Sequence, residues 1–484
     1  MLFNSLNFII FFVAVVVIYY LLPKNSWRKV VLLGASYYFY ACFNVAMLAV
    51  LLFETALAYG YGIAKCTHRD DAIHFTQSKV GLATTIVLLL LPLLCFKYLN
   101  FLMGTVADVW ALTGALVEMP EFELLLPIGI SFYTFMAVGY VVDVYKGKIE
   151  AEKNALDFAL FVGFFPQIAS GPIGRAGQLI PQLKEKHPLL YRNLAAGAKM
   201  MLWGFFMKLV VGDRAGIYVD TVFGNYAHHN GTSLLLATFM YTIQIYCDFA
   251  GYSLIAIGCA KMMGIELMEN FRRPYFATSV ADFWRKWHIS LSTWFRDYVY
   301  FPCGGSRCSK LKTYRNLLIT FLVSGLWHGA AYNFILWGGY HGVSQVIGKA
   351  LIPFKDKCRN VLRIGDKSLG RKVWDIAITF CIVAYGWMLF YAPDMQFIVD
   401  VTQGYLHLGA PYIHQTTIFF FAMGFALLFV KDFKDEFLAE RVAAFRDKNP
   451  KFTTGWDYVK YAALAILIVY IGVLGGGQFI YFKF

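Results

Sequence analysis

Two histidines, His328 and His341, sit in the apolar stretch "FLVSGLWHGAAYNFILWGGYHG" at residues 321–342. Titratable rings are costly at membrane depth and are kept there mainly for function. A neutral imidazole takes up a proton near neutral pH, which is what makes a histidine at such a place a candidate for chemistry. In "GLWHG", Gly325 and Gly329 flank Trp327 and His328. Their missing side chains allow close backbone packing, or a bend that would place His328 in a polar cavity. A structural histidine bonded to a neighbouring carbonyl accounts for the same residues, and the physics weighs the two readings evenly. His341, in "GGYHG", is expected to be a packed ring near the inner surface, with support of His328 as its alternative role.

A second group lies at residues 282–307, "DFWRKWHISLSTWFRDYVYFPCGGSR". Asp282, Arg285 and Lys286 fall at helical spacings of three and four, as do Arg285 and His288, so one face is polar. An interfacial helix with a tryptophan belt explains the basic residues. It does not explain His288 beside Ile289 and Leu291. A basic, aromatic-lined entrance suits an anionic, nucleotide-bearing donor. The third group is "QIYCDFAGYS" at 244–253, where Asp248 lies inside an apolar run. Pairing with an arginine of the following basic loop is the favoured role; lining a polar path is the other.

The chain that positions these residues reads as a polytopic membrane protein. Of 484 residues 59% are hydrophobic and only 15% charged, and apolar runs recur from end to end, a composition that soluble domains do not share. The net charge of +13 does not mark a nucleic-acid partner, because Lys and Arg sit in the loops between apolar runs, as in cytoplasmic loops of membrane proteins. Cys303 and Cys308 lack the companions of a zinc site, and no metal is expected. A phosphate-binding Walker motif and a Gly-x-Ser-x-Gly elbow are both missing from the sequence, which excludes the mechanisms built on them.

Charge sets the expected topology. The run at 8–22 lacks the features of a cleaved signal and is expected to be a first span with its N-terminus outside. Lys24, Arg28 and Lys29 lie inside, and the runs near 30–43 and 45–64 form a short hairpin. A span near 80–96 leads out, 100–116 rests at the interface, and Glu118, Glu121 and Glu123 lie outside. The run at 125–145 returns. Pro166, Gly171 and Pro172 predict a re-entrant piece over 155–173, tolerated only where protein or water shields the backbone. The chain then crosses near 194–212, loops outside over 213–231 and returns through 232–262. The basic loops at 261–315 and 349–372 lie inside, so 321–342 must enter the membrane and come back. Residues 393–416, without Lys or Arg, lie outside. An interfacial amphipathic helix is expected within 431–458, and a last span near 459–475 leaves the C-terminus outside. In all this is a single all-α membrane domain over 1–484, with about 11 spans plus re-entrant and interfacial helices.

Several ordered motifs together resemble the membrane-bound O-acyltransferase family. They are "LLPIGISFYTF" at 125–135, "DVYKG" at 143–147, "FFPQIASGPIGR" at 164–175, "CDFAGYS" at 247–253, "NFRRPY" at 270–275, "FWRKWHISLSTWFRDYVY" at 283–300, "GGSR" at 304–307 and "GLWHG" at 325–329. The motif-rich core runs over about 125–345, and the wording is similar to the alginate O-acetyltransferase branch of bacterial polysaccharide acetylation. "FPCGGSR" departs from the commoner pattern by placing Cys303 where an aliphatic residue stands, and Cys303 is expected to pack as a small hydrophobe.

The resemblance implies a multi-pass acyltransferase of the bacterial inner membrane whose two family histidines fall on His288 and His328. It implies an acetyl group drawn from a cytoplasmic thioester, acetyl-CoA, with no bound cofactor. The acceptor would be an extracellular or cell-wall polysaccharide reached with an extracytoplasmic acetyltransferase or acceptor protein. On this basis His328 is the expected base, and His288 orients the hydroxyl or bonds the thioester carbonyl. Trp287 and Trp327 exclude water, Arg285 and Arg296 bind donor phosphates, and Asp248 lines the path or braces the fold. A D-alanyl or other acyl transferase of cell-envelope polymers would share this pattern. A secondary transporter would share the broken helices but commonly shows repeated halves, and no internal repeat is visible.

Overall fold

Apolar runs in lipid fold as helices because a backbone without water partners must bond to itself. The computed structural model describes residues 1–67, 75–114, 120, 122–169, 171–361 and 368–475, and among them the regular elements are helices, with no strand. Seven are long and apolar enough to cross a membrane: Leu48–Thr67, Lys79–Ala111, Tyr191–Phe223, Gly231–Met262, Leu369–Tyr391, Gln415–Phe437 and Pro450–Ile471. Leu6–Leu21, Ile130–Tyr145 and Ala155–Ile168 are shorter and equally apolar in character. The protein is a multi-pass, all-α membrane protein. Glu118, Glu121 and the C-terminal Phe484 lie outside the described residues.

Three boundaries differ from the sequence expectation. Residues 100–111 continue the Lys79–Ala111 helix through a π-helical turn at Leu94–Tyr98. At about 1.5 Å per residue this helix is about 50 Å long, beyond a hydrocarbon layer of about 30 Å. The expected outside loop at 213–231 is helical up to Phe223. Asp213 and Arg214 resemble a loop start, but Lys208 Nζ lies 2.7 Å from Asp213 Oδ1, and a carboxylate neutralised from the preceding turn lets the helix continue. Nor is 431–458 one interfacial helix. Phe433 and Phe437 end the Gln415–Phe437 helix, where they meet Phe276 at 6.3 and 5.3 Å between ring centres. Separate helices follow at Ala439–Lys448 and Pro450–Ile471.

The chain divides into two compact units, one of residues 1–198 and 256–268, the other of 199–255 and 269–484. In the first, the predicted break at 155–173 is present. Ala155–Gly163 stops, a single turn follows at Phe165–Ile168, and extended chain leads to Ala176–Lys184. Phe164, Phe165 and Ile168 have no exposed surface, so protein shields this irregular backbone. Asp157 at the start of the segment pairs with Lys29 at 2.6 Å, and Glu152 with Lys184 at 2.6 Å.

The second unit contains all three histidines of interest. The stretch expected to enter and return is a hairpin of Lys310–His328 and Tyr332–Ala350. Glycine permits it: a Cβ on Gly325 would lie 2.2 Å from the carbonyl oxygen of Phe334, and one on Gly338 2.4 Å from that of Phe321. Gly325→Val should therefore force the two helices apart and cost at least about 1–3 kcal/mol, the usual penalty of overpacking. Gly348→Ala, where a Cβ meets nothing within 4 Å, should leave thermal unfolding in detergent unchanged. Equal melting temperatures for the two variants would contradict this account of the hairpin.

Candidate active site

The segment after the Gly231–Met262 helix folds back on itself. Arg272 N donates to Lys286 O at 2.8 Å, and Ile289 N donates to Asn270 O at 2.9 Å. The short helix Val280–Lys286 starts on a Ser279 cap and ends before Trp287. His288 then takes φ +43°, a left-handed backbone conformation rare for a residue with a side chain, and the helix Ile289–Phe295 begins. Such a conformation costs of order 1–3 kcal/mol and persists where its surroundings impose it. Glu436 supplies part of that constraint. Its carboxylate holds Lys286 Nζ at 2.7 Å and Arg273 Nε at 2.8 Å, and Arg273 too is left-handed, at φ +44°.

The turn delivers His288 to an interior position with no exposed surface. Its Nδ1 lies 3.1 Å from Asn270 Oδ1. The same oxygen accepts from Ser290 N at 3.2 Å and Ser290 Oγ at 2.9 Å, while Asn270 Nδ2 donates to Ser253 Oγ at 3.0 Å. Phe249 of the long helix stands edge-on to the imidazole at 4.6 Å. Burial pushes the His288 imidazole down to about 3, so this ring is neutral at physiological pH.

Aromatic rings link His288 to the other histidines. Trp327 lies 6.2 Å from His288 and 4.8 Å from His328, centre to centre. His328 is the last residue of its helix and is buried edge-on against Trp337 at 4.9 Å and Phe390 at 5.3 Å. The expected polar cavity is thus walled largely by rings. His341 stands between Trp337 and Trp284, 5.1 Å from each, with no hydrogen-bond partner for either nitrogen among the described residues. It is a packed ring.

The remaining sequence candidates separate into two sets. Trp287 is in the cluster, 4.6 Å from Trp387 and 4.9 Å from Phe271. Arg285 and Arg296 are exposed, and Arg296 is paired with Asp297 at 2.9 Å. Asp248 is buried, but its partner is Lys208 and not an arginine of the basic loop. Close approach of Gly204 and Gly251 brings the two helices together there; a Cβ on Gly204 would sit 2.6 Å from Gly251 O. Lys208, itself buried, answers both Asp248 and Asp213. Cys303 and Cys308 carry free thiols.

Sequence reasoning did not single out Asn270, Ser253, Ser290, Glu436, Trp387 or Phe390. The first three lie inside the quoted motifs "NFRRPY", "CDFAGYS" and "WHIS", where a buried amide and hydroxyls among aromatic residues were the available signal. The others come from helices far along the chain and carry no local mark.

Comparison with known proteins bears on this arrangement. The profile of the membrane-bound O-acyltransferase family matches residues 151–360. A probable alginate O-acetylase of Pseudomonas syringae pv. tomato is 38% identical over 397 residues, covering 82% of this chain and 73% of that protein. The chain belongs to the membrane-bound O-acyltransferase family. A peptidoglycan O-acetyltransferase of Helicobacter pylori is 32% identical over 440 residues, covering 84% of this chain and 80% of that one. A teichoic acid D-alanyltransferase of Bacillus subtilis is 30% identical over 285 residues, covering 56% and 70%. As a member of this family the protein is an O-acyltransferase, and the 151–360 match contains Asp248, Asn270, His288 and His328.

In this acyltransferase Asp248 can be tested as a brace by removing its partner. Lys208→Met leaves two carboxylates near each other without their cation, and breaking a buried ion pair from one side costs about 3–5 kcal/mol. We expect the variant to lose yield and melting temperature together. A Lys208→Met protein of wild-type stability but altered turnover would instead place the triad in the chemistry.

Proposed function

We propose that this protein is a membrane O-acetyltransferase that moves an acetyl group from a cytoplasmic thioester donor, acetyl-CoA, to an acceptor hydroxyl on the outer side, for acetylation of an extracellular or cell-wall polysaccharide. The observation that carries the proposal is the pair of buried imidazoles, His288 and His328, joined through Trp327. It is supported by the 38% identity over 82% of the chain to a probable alginate O-acetylase. D-alanyl transfer is the weaker alternative, since similarity to the teichoic acid D-alanyltransferase extends over 56% of the chain.

The chemistry requires two tasks of the pair. As the hydroxyl oxygen attacks the acyl carbon, one neutral imidazole takes the hydroxyl proton. A hydrogen-bond donor must meet the carbonyl oxygen, which gains charge in the transition state. The two histidines are assigned to these tasks, one as the base and the other on the carbonyl side. The rings of Trp287, Trp327, Trp337 and Phe390 keep water from hydrolysing the thioester. Exposed Arg285 and Arg296 are suited to donor phosphates before the acyl group enters the cluster.

We further propose the cytoplasmic membrane of a bacterium as the location, with the basic loops inside, both termini outside, and residues 1–484 as one acyltransferase domain. An extracytoplasmic acetyltransferase or acceptor protein completes the modification, docking near the outer loop around Tyr405. Single-cysteine labelling should reach position 403 in intact cells and positions 312 and 357 only after the membrane is opened. The reverse pattern would invert the scheme.

The catalytic assignment has its own test. His328→Ala and His288→Ala should insert and fold, while transfer of radiolabelled acetyl from acetyl-CoA falls by roughly 10²–10⁴-fold, the range for lost acid–base catalysis. If His328→Ala instead lowers the melting temperature and leaves turnover per folded molecule near wild type, His328 is a packing residue and the proposal for it fails.

A further inference from the structure

The orientation of the Asn270 amide is fixed by a group that cannot change its role. Ser290 N is a backbone donor and lies 3.2 Å from one side-chain atom of Asn270, so that atom must be the carbonyl Oδ1. The amide nitrogen then faces Ser253 Oγ at 3.0 Å. His288 Nδ1 stands 3.1 Å from the same Oδ1. Ser290 Oγ, 3.4 Å from the same Nδ1, has a single hydrogen and gives it to the nearer Asn270 Oδ1 at 2.9 Å; a carbonyl oxygen only accepts, so the Nδ1 contact is made by a hydrogen on Nδ1. A neutral imidazole has one N–H, and therefore Nε2 carries the lone pair.

We infer that Asn270 is a positioning residue for the transfer reaction: it locks His288 in the Nδ1–H tautomer and so makes Nε2 the atom that receives the acceptor's hydroxyl proton. This rests on the reading of His288 as a catalytic residue. It selects between the two roles open to that histidine. With its single hydrogen committed to Asn270, neutral His288 can take a hydrogen bond from a hydroxyl but has none to give to a thioester carbonyl. The hydroxyl has one proton, so an acceptor bound at Nε2 delivers it there, and His328 serves the carbonyl side. The O–H bond breaks as the oxygen bonds to the acyl carbon. The acyl C–S bond then breaks, and the proton on Nε2 passes to the departing thiolate sulfur.

Asn270 is anchored well enough to enforce this. It is almost without exposed surface, its main-chain oxygen accepts from Ile289 N at 2.9 Å, and Ser290 Oγ also donates to its Oδ1 at 2.9 Å. Those contacts hold the two residues that follow the left-handed His288. The amide therefore fixes which nitrogen is protonated and also where the ring points.

The test reads the tautomer directly. In the full-length protein in lipid with ¹⁵N-labelled histidine, the resonances lost in His288→Gln identify the ring; Nδ1 should be protonated and Nε2 not. A protonated Nε2 would overturn the inference. Asn270→Leu should release the tautomer and lower kcat by roughly 10²-fold with KM nearly unchanged. Asn270→Asp, which keeps an acceptor oxygen in place, should retain the Nδ1–H form and recover activity to within about tenfold of wild type. Should Asn270→Leu fail to fold, the wild-type spectrum and Asn270→Asp still decide. An Asn270→Asp protein that keeps the tautomer but is no more active than one lacking His288 counts against a positioning role. Full transfer by His288→Gln, with the expected tautomer in wild type, would remove His288 from the chemistry while leaving the Asn270 contact intact.

Discussion

One amide oxygen, Asn270 Oδ1, is the point on which the local structure around His288 depends. It gathers hydrogen bonds from Ser290 N, Ser290 Oγ and His288 Nδ1. Without water, an unmet donor costs about 1–3 kcal/mol, so the three donors and their acceptor are bound to one geometry. The left-handed turn at His288 fits that geometry, because a reversal at this residue lets both its ring and the backbone N–H of Ser290 reach the same oxygen. Chain reversal also places Trp287 on the opposite side, against Phe271, Phe283 and Trp387. A single turn thus gives His288 a polar contact at Asn270 and sets both rings among aromatic neighbours.

Charge in this unit obeys the same rule at two further places. Lys208 is surrounded by two carboxylates within the apolar helices, and Glu436 joins Lys286 and Arg273 beside the turn. Neither arrangement is a net source of stability comparable to apolar burial, since desolvation offsets most of the attraction. What each supplies is register. Lys208 fixes how the Tyr191–Phe223 and Gly231–Met262 helices slide past each other, and Glu436 ties the end of the Gln415–Phe437 helix to the two residues that flank the His288 loop. Charge pairs of this kind hold the aromatic cluster in place because rings alone, being non-directional in most of their energy, would pack acceptably in several ways.

Much of this was legible in the sequence. The all-α membrane fold follows from the apolar runs, the broken segment from Pro166, Gly171 and Pro172, and the close hairpin from Gly325 and Gly329. Each is a local signal with a direct backbone consequence. The boundary at Phe223 was not legible, because charge looks like a loop until its partner is known: Asp213 reads as a helix end and is in fact paired with Lys208. For the site, His288, His328, Trp287 and Trp327 were found as unusual residues in apolar surroundings. Asp248 was found with the wrong partner, and Asn270 and Glu436 were passed over. An asparagine next to "FRRPY" resembles any turn residue; its role arises from burial against residues 17 positions earlier and 20 later, a relation that spacing along the chain does not express.

The aromatic walls bear on the reaction in a way that the histidines alone do not. Trp327 touches both His288 and His328, and Trp337 and Phe390 close the far side of His328. Around His288 burial disfavours an imidazolium, so in the proposed reaction a proton taken from the acceptor hydroxyl would have little residence on that ring. A thiolate leaving from the proposed thioester donor would be equally disfavoured there. On that proposal the two charges that transfer creates are removed by the same proton movement, from imidazolium to thiolate, and the apolar wall favours completion over a charged intermediate. A polar pocket would stabilise that intermediate and admit water to it. Rings around the histidines suit the proposed acyl transfer for this reason: they favour the ordered passage of one proton through His288, whose tautomer Asn270 sets, over a long-lived charged state.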